Sequence, residues 1–203
     1  METTAELTTD VLIIGGGPAG ATAAYWLATH GHDVIVVEKK SFPREKTCGD
    51  GLTPRAVHQL TEMGLAEPLA RYHRYSGLRA TGMGRELELE WPSHPVYPQH
   101  GYVVRRRELD KLVADNAVAA GARLHEGHEA IHPLIDRGLV RGAVVDRSRA
   151  TGQDDDHVTI RATYTIVADG ANSRFGRALG TSRNREWPYG TAIRSYWSTP
   201  RHA

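Results

Sequence analysis

Residues 11–14 (VLII) form an unbroken apolar run, and residues 34–37 (VIVV) form a second. Both have the length and branched content of strands covered on two faces. The stretch between them is helix-compatible and ends near Gly31, so a strand, a helix and a second strand are predicted in succession. Farther on, Ala56, Val57, Leu60 and Met63 recur at helical spacing, with Thr53 as a candidate N-cap and Gly64 as a stop. Residues 78–91 alternate in part around Gly82 and Gly84 and predict two strands joined by a turn. Pro92, Pro95 and Pro98 then break regular structure. Residues 107–120 predict a second strong helix, with Leu109, Leu112, Val113, Asn116 and Ala117 on one side and Gly121 past its end. Residues 122–126 and 130–135 read as strands, and 140–146 with 157–162 as a hairpin around a polar loop that holds Asp154, Asp155 and Asp156. Residues 164–168 read as a further strand and 174–179 as a helix. Residues 190–197 read as a strand entering a further domain, so the chain is expected to be the amino-terminal portion of a longer enzyme.

The 203 residues suit one or two domains with a real core. A net charge of +1, with both signs mixed along the chain, points away from nucleic acid as a partner. One cysteine, Cys48, excludes an internal disulfide framework and a cysteine-rich metal site. The eleven histidines lack cysteine partners, and no metal is expected. The residues before Asp10 are polar and include Glu2 and Glu6, unlike a signal peptide. No apolar run approaches the roughly 20 residues of a membrane span. A cytoplasmic protein is expected.

The junction of the first strand and helix carries the most specific chemistry. Residues 15–20 read GGGPAG and fit G-x-G-x-x-G. Gly15 permits the tight turn, Gly17 lets a pyrophosphate approach the backbone, and Gly20 lets the helix pack on the sheet. Pro18 suits the first helical turn. The helix start offers free N–H groups and the positive end of its dipole to an anion. Glu38 lies eighteen residues beyond Gly20, at the end of the second strand. A carboxylate there accepts hydrogen bonds from ribose hydroxyls and repels a 2′-phosphate, which favours FAD or NAD over NADP. A second strand-to-helix turn, Asp169-Gly170-Ala171-Asn172-Ser173, offers another carboxylate and further amides. FAD is long and needs two such anchors; its ribityl hydroxyls suit Asp169.

GGGPAG with Glu38, together with ADGANS, resembles the flavoproteins that include aromatic hydroxylases and geranylgeranyl reductases. Residues 42–54 (FPREKTCGDGLTP), residues 97–104 (YPQHGYVV) and the step from Arg106 to Leu109 and Asp110 are similar to the geranylgeranyl reductase branch. The resemblance implies an α/β, Rossmann-like FAD-binding fold of the glutathione-reductase type with an inserted antiparallel β portion. Residues 1–184 would form the FAD-binding domain, with the insertion around 75–105, and residues 185–203 would begin a substrate domain. Gly15, Gly17, Ala19 and Gly20 would wrap the pyrophosphate. Glu38, with Lys39 beside it, would take the adenosine ribose. Arg44 and Arg106 would bind the cofactor from flanking loops, Cys48, Gly49 and Asp50 would lie near the isoalloxazine ring, and Asp169 with Gly170 would hold the ribityl or phosphate region. The family's later Gly-Asp-Ala motif is missing from these residues.

The implied activity is reduction of an isoprenoid C=C bond in a prenyl lipid or menaquinone, with NAD(P)H or a reduced carrier as electron donor. An unactivated alkene needs a proton as hydride arrives. Cys48 is the candidate acid. Peripheral membrane contact follows from so apolar a substrate. Three alternatives stay open: an aromatic monooxygenase, which shares both nucleotide motifs, an FAD-binding module without turnover, and an NAD-only dehydrogenase.

Overall fold

The computed structural model describes residues 5–181, 186–188 and 190–200. Its chain divides into two compact units, one of Met1–Glu45 with Arg107–Gly190 and one of Lys46–Arg106 with Thr191–Ala203.

In the first unit, β1 (Ala5–Ile14) runs into α1 (Pro18–Thr29), which returns the chain to β2 (Val34–Glu38). β1 outruns the apolar stretch that predicts it because residues 5–9 pair with a later strand. Pro18 occupies the first turn of α1, where a missing N–H leaves nothing unpaired.

The second unit holds β3 (Gly51–Leu52), α2 (Pro54–Glu62), α3 (Ala66–Leu69), β4 (His73–Tyr75), β5 (Gly77–Gly82), β6 (Arg85–Glu90) and β7 (Gly101–Val103). β7 pairs antiparallel with both β3 and β4. β5 and β6 form a separate hairpin in which Leu78 faces Leu89 and Arg79 faces Glu88. Gly101 is packed so tightly that a Cβ would enter the Leu52 carbonyl and the Tyr75 ring. The expected strand at 190–197 is not formed. Described residues 190–199 are irregular, with Ile193 and Trp197 almost fully exposed and no ladder partner among the described residues.

α4 (Arg106–Ala119) leads back into the first unit, followed by β8 (Arg123–Glu126), β9 (Glu129–Asp136), β10 (Leu139–Asp146), α5 (Ser148–Thr151), β11 (His157–Val167) and α6 (Arg174–Ala178). The two strands expected at 157–162 and 164–168 are one. Residues 158–162 pair with the polar start of β1, and residues 164–167 continue beside its apolar end. The sheet order is β8-β2-β1-β11-β10-β9. β8, β2, β1 and β11 are parallel, while β10 is antiparallel to its neighbours.

Each central strand buries both faces. Val11, Ile13, Val34 and Val36 pack with Ala24 of α1 and Ala117 of α4. Leu12, Ile14, Ile35 and Val37 pack with β10, β11 and Phe175 of α6. This explains why the strands read as continuous apolar runs rather than alternating ones.

α1 lies so close to β1 that a Cβ on Gly20 would collide with the carbonyl oxygen of Gly15. Gly20→Ala should therefore cost about 1–3 kcal/mol, read as a lowered midpoint in urea unfolding; an unchanged midpoint would refute this packing.

On β8, burial lowers the pKa of His125, and the neighbouring His128 and Arg123 lower it further. Unfolded, the same ring takes its proton near pH ~6.5. The unfolded chain therefore binds more protons over this range, and stability falls as pH drops through about 6.5, levelling off below the folded pKa. Tm should decline over this window, and His125→Gln should flatten part of that decline. Identical pH slopes for the two proteins would contradict the assignment.

Candidate functional site

Strand order reverses between β1 and β11: from β1 the chain proceeds outward to β2 and β8, and it returns on the other side through β9, β10 and β11. Ligands of open α/β sheets bind at the carboxyl ends of the strands at such a point. The glycine turn leaves β1 there and the Asp169 turn leaves β11. The two strand ends are joined by the Ala168 N–H, which donates to the Ile14 carbonyl at 2.8 Å.

The glycines of the first turn divide by what surrounds them. Gly15 has φ 100°, and a Cβ would run into the backbone of Ala168 and Asp169. Gly20 is required by the α1–β1 contact. Gly17 differs. Its φ of −69° suits any residue, and a Cβ would meet only Nη2 of Arg44, at 3.5 Å. The protein leaves that space open rather than filling it. No side chain caps the first turn of α1, where Ala19 is exposed, so its amides remain for an anion.

Glu38 ends β2 and is 6 % exposed. Its Oε2 accepts the Gly16 N–H at 3.0 Å and its Oε1 accepts the Lys40 N–H at 3.1 Å. Nη2 of Arg44 lies 3.3 Å from the same Oε2, and Nη1 donates to Oδ2 of Asp110 at 3.1 Å. The guanidinium sits 5.1 Å from the centroid of the Phe42 ring. Lys39 turns its half-exposed amine toward Glu129, 4.0 Å away. Asp169 ends with Oδ1 buried and without a hydrogen-bond partner among the described residues. Gly170 follows with φ 90°.

The second unit gathers the other expected residues around Asp50. Oδ1 of Asp50 accepts the Arg106 N–H at 3.0 Å and Nη1 of Arg194 at 3.2 Å. Oδ2 accepts the Tyr196 hydroxyl at 2.7 Å. Arg194 also reaches the carbonyl of Cys48 at 3.4 Å, and the Arg194 guanidinium lies over the Tyr196 ring. Cys48 is exposed, and nothing stands within 4 Å of a Cβ placed on Gly49.

Residues 128–132 (HEAIH) carry the letters of a zinc-helix motif. The segment enters β9 instead of a helix. Residues four apart on a strand stand about 13 Å apart, too far to share a metal. Among the described residues no group of three His, Cys, Asp or Glu side chains could hold a metal ion.

Sequence periodicity missed Asp110. The expected inner face of the second helix contained Leu112 and Asn116, whereas α4 buries Leu109, Asp110, Val113, Ala114 and Ala117. The available signal was that Asp110 stands four and seven residues before Ala114 and Ala117, on a stripe otherwise made of small apolar residues.

The geometry fits an extended dinucleotide. An open approach lies at Gly17, a buried carboxylate sits at the end of β2, and an orphaned carboxylate oxygen sits at the end of β11. Residues 8–192 match the family described as FAD binding domain. The chain is 44% identical over 190 residues to a menaquinone reductase of Mycobacterium tuberculosis, covering 94% of this chain and 44% of that protein. It is 35% identical over 176 residues to digeranylgeranylglycerophospholipid reductase 1 of Methanopyrus kandleri, covering 84% of this chain and 42% of that protein. Among solved structures, a geranylgeranyl bacteriochlorophyll reductase-like protein of Thermoplasma acidophilum superposes with a TM-score of 0.70 at 30% identity, over 87% of this chain and 43% of that one. The chain thus spans less than half the length of these relatives. With an open glycine turn, two buried carboxylate groups and a match along nearly all its length, the chain belongs to the FAD binding domain family.

Proposed function

We propose that this chain is the cofactor-binding portion of an FAD-dependent reductase that saturates an isoprenoid C=C bond in a prenyl lipid or menaquinone. The observation that carries the reading is the 44% identity to a menaquinone reductase across 190 residues. It is supported by a second relative named for a geranylgeranyl phospholipid. Bound FAD would supply two-electron hydride chemistry.

The residues at the carboxyl end of the sheet would hold it. Gly15, Gly17, Ala19 and Gly20 offer backbone to the diphosphate. Glu38 offers its carboxylate to the adenosine ribose, with Arg44 and Lys39 beside it. Asp169 offers its unpartnered Oδ1, next to Gly170, to the ribityl or phosphate region. Gly49, Asp50 and Arg106 would shape the isoalloxazine end. We read the fold as the glutathione-reductase type, with the antiparallel strands of the second unit as its insertion. Residues 1–184 then serve the cofactor, and those from 185 onward open a substrate domain.

A double bond without activating groups must gain a proton on one carbon as hydride reaches the other, or charge builds up in the transition state. The exposed thiol of Cys48 is the candidate proton donor. The electrons would come from NAD(P)H or a reduced carrier, which is oxidised as the alkene is reduced. A substrate this apolar would be met at a membrane surface. We read that contact as peripheral; no helix among the described residues is long and apolar enough to cross a membrane.

Three experiments test the reading. The full-length protein, loaded with FAD and supplied with reductant and menaquinone, should yield a product heavier by two hydrogens; a product that gains an oxygen atom would establish a monooxygenase instead. Cys48→Ser should keep its flavin and slow turnover at least tenfold, whereas undiminished turnover would exclude the thiol. Gly17→Ala should unfold at nearly the wild-type temperature, since the protein itself leaves room for a methyl group. It should weaken FAD binding at least tenfold in a flavin-fluorescence titration. Unaltered affinity would mean that no ligand approaches the backbone there.

A further inference from the structure

We propose that Asp110, on α4, is a positioning residue for the nucleotide site. It acts through Arg44, and the inference rests on the FAD-binding reading above. Three ionic side chains stand in a row: Glu38 at the end of β2, Arg44 in the following loop, and Asp110 in the helix. Asp110 is 0 % exposed, and the side chains of Glu38 and Arg44 are 7 % and 11 % exposed.

Burying a carboxylate on a helix whose inner face is otherwise Leu, Val and Ala is unfavourable unless the charge is met. Arg44 meets it. The two ends of the guanidinium fork are then divided: Nη1 serves Asp110, and Nη2 reaches Glu38 and stands over Gly17. A planar guanidinium fixed at one end has its other end fixed too. Asp110 therefore sets where Nη2 lies, and with it the cation beside the ribose-binding carboxylate and the open glycine. Nε of Arg44 is buried without a hydrogen-bond partner among the described residues, and its terminal nitrogens and the Phe42 ring hold this side chain.

The test is a double-mutant cycle on FAD affinity in the full-length protein, with ADP as a second ligand that carries the adenine, ribose and diphosphate but no ribityl chain or isoalloxazine. Asp110→Asn keeps the volume and one acceptor oxygen, so the fold is retained. Asp110→Ala removes both. The Asn variant should weaken FAD and ADP in parallel, by about threefold to tenfold, and the Ala variant by more. In an Arg44→Leu background neither change should weaken binding further. A helix-packing role would give the same loss in both backgrounds and overturns the proposal. Tighter binding by Asp110→Asn also overturns it, because the carboxylate would then be restraining the cation rather than aiming it. If the unaltered protein takes up FAD but the losses are additive, only this inference falls. If it takes up none, the cofactor reading falls with it.

Discussion

The closeness of α1 to β1 governs the architecture around the site. No atom larger than hydrogen fits between Gly20 and the carbonyl of Gly15. Because the helix sits directly on the strand end, its first turn stands over the carboxyl edge of the sheet rather than beside it. The left-handed conformation at Gly15 makes that approach possible by turning the chain within one residue. With the helix pinned, Val11, Ile13, Val34 and Val36 meet Ala24 on one face, and the strand pair is buried on both sides. The placement of the helix's amino end and the apolar core thus share one steric cause.

Charge is then assembled where water is scarce. Glu38, Arg44 and Asp110 are all largely buried, and each is compensated by a neighbour rather than by solvent. Glu38 is also tied to the Gly16 and Lys40 amides, which brace its carboxylate against the glycine turn. Asp169 is the exception, a buried acceptor oxygen to which no described residue donates. Leaving such a group unmet costs about 1–3 kcal/mol. That deficit is tolerable where a ligand hydroxyl completes the hydrogen bond, which is why this oxygen supports the cofactor reading more strongly than its place in an Asp-Gly turn does.

Most of the first unit was legible because its signals are local. The β1-α1-β2 succession follows from two apolar runs around a glycine turn, and α4, like α2 of the second unit, follows from helical spacing with a stop glycine. What escaped the sequence depends on pairing between distant segments. β11 reads as two strands because Arg161 and Thr163 interrupt its apolar character, and only β1 alongside shows it to be continuous. Residues 190–197 have strand-like composition but gain no ladder among the described residues. The spacing of Asp110 to Ala114 and Ala117 within α4 hints at its burial, but its counter-ion could not be read from α4, since it is 66 residues away. The role expected of Asp50 came only by resemblance, and the bonds of its carboxylate to the Arg106 amide, Arg194 and Tyr196, partners far apart in the chain, could not be read from the sequence.

The unbroken β11 has a bearing on how such a chain can vary. Its register against β1 runs from Val158 to Val167, with Val167 opposite Ile14 and Asp169 two residues on. Deleting or adding a single residue within that span would shift the carboxylate by about 3.3 Å and exchange the two faces of everything beyond the change. The polar loop of residues 147–156 lies upstream of the ladder and bears no such burden. Length differences among homologous chains should collect in that loop, while the count from Val158 to Asp169 stays fixed.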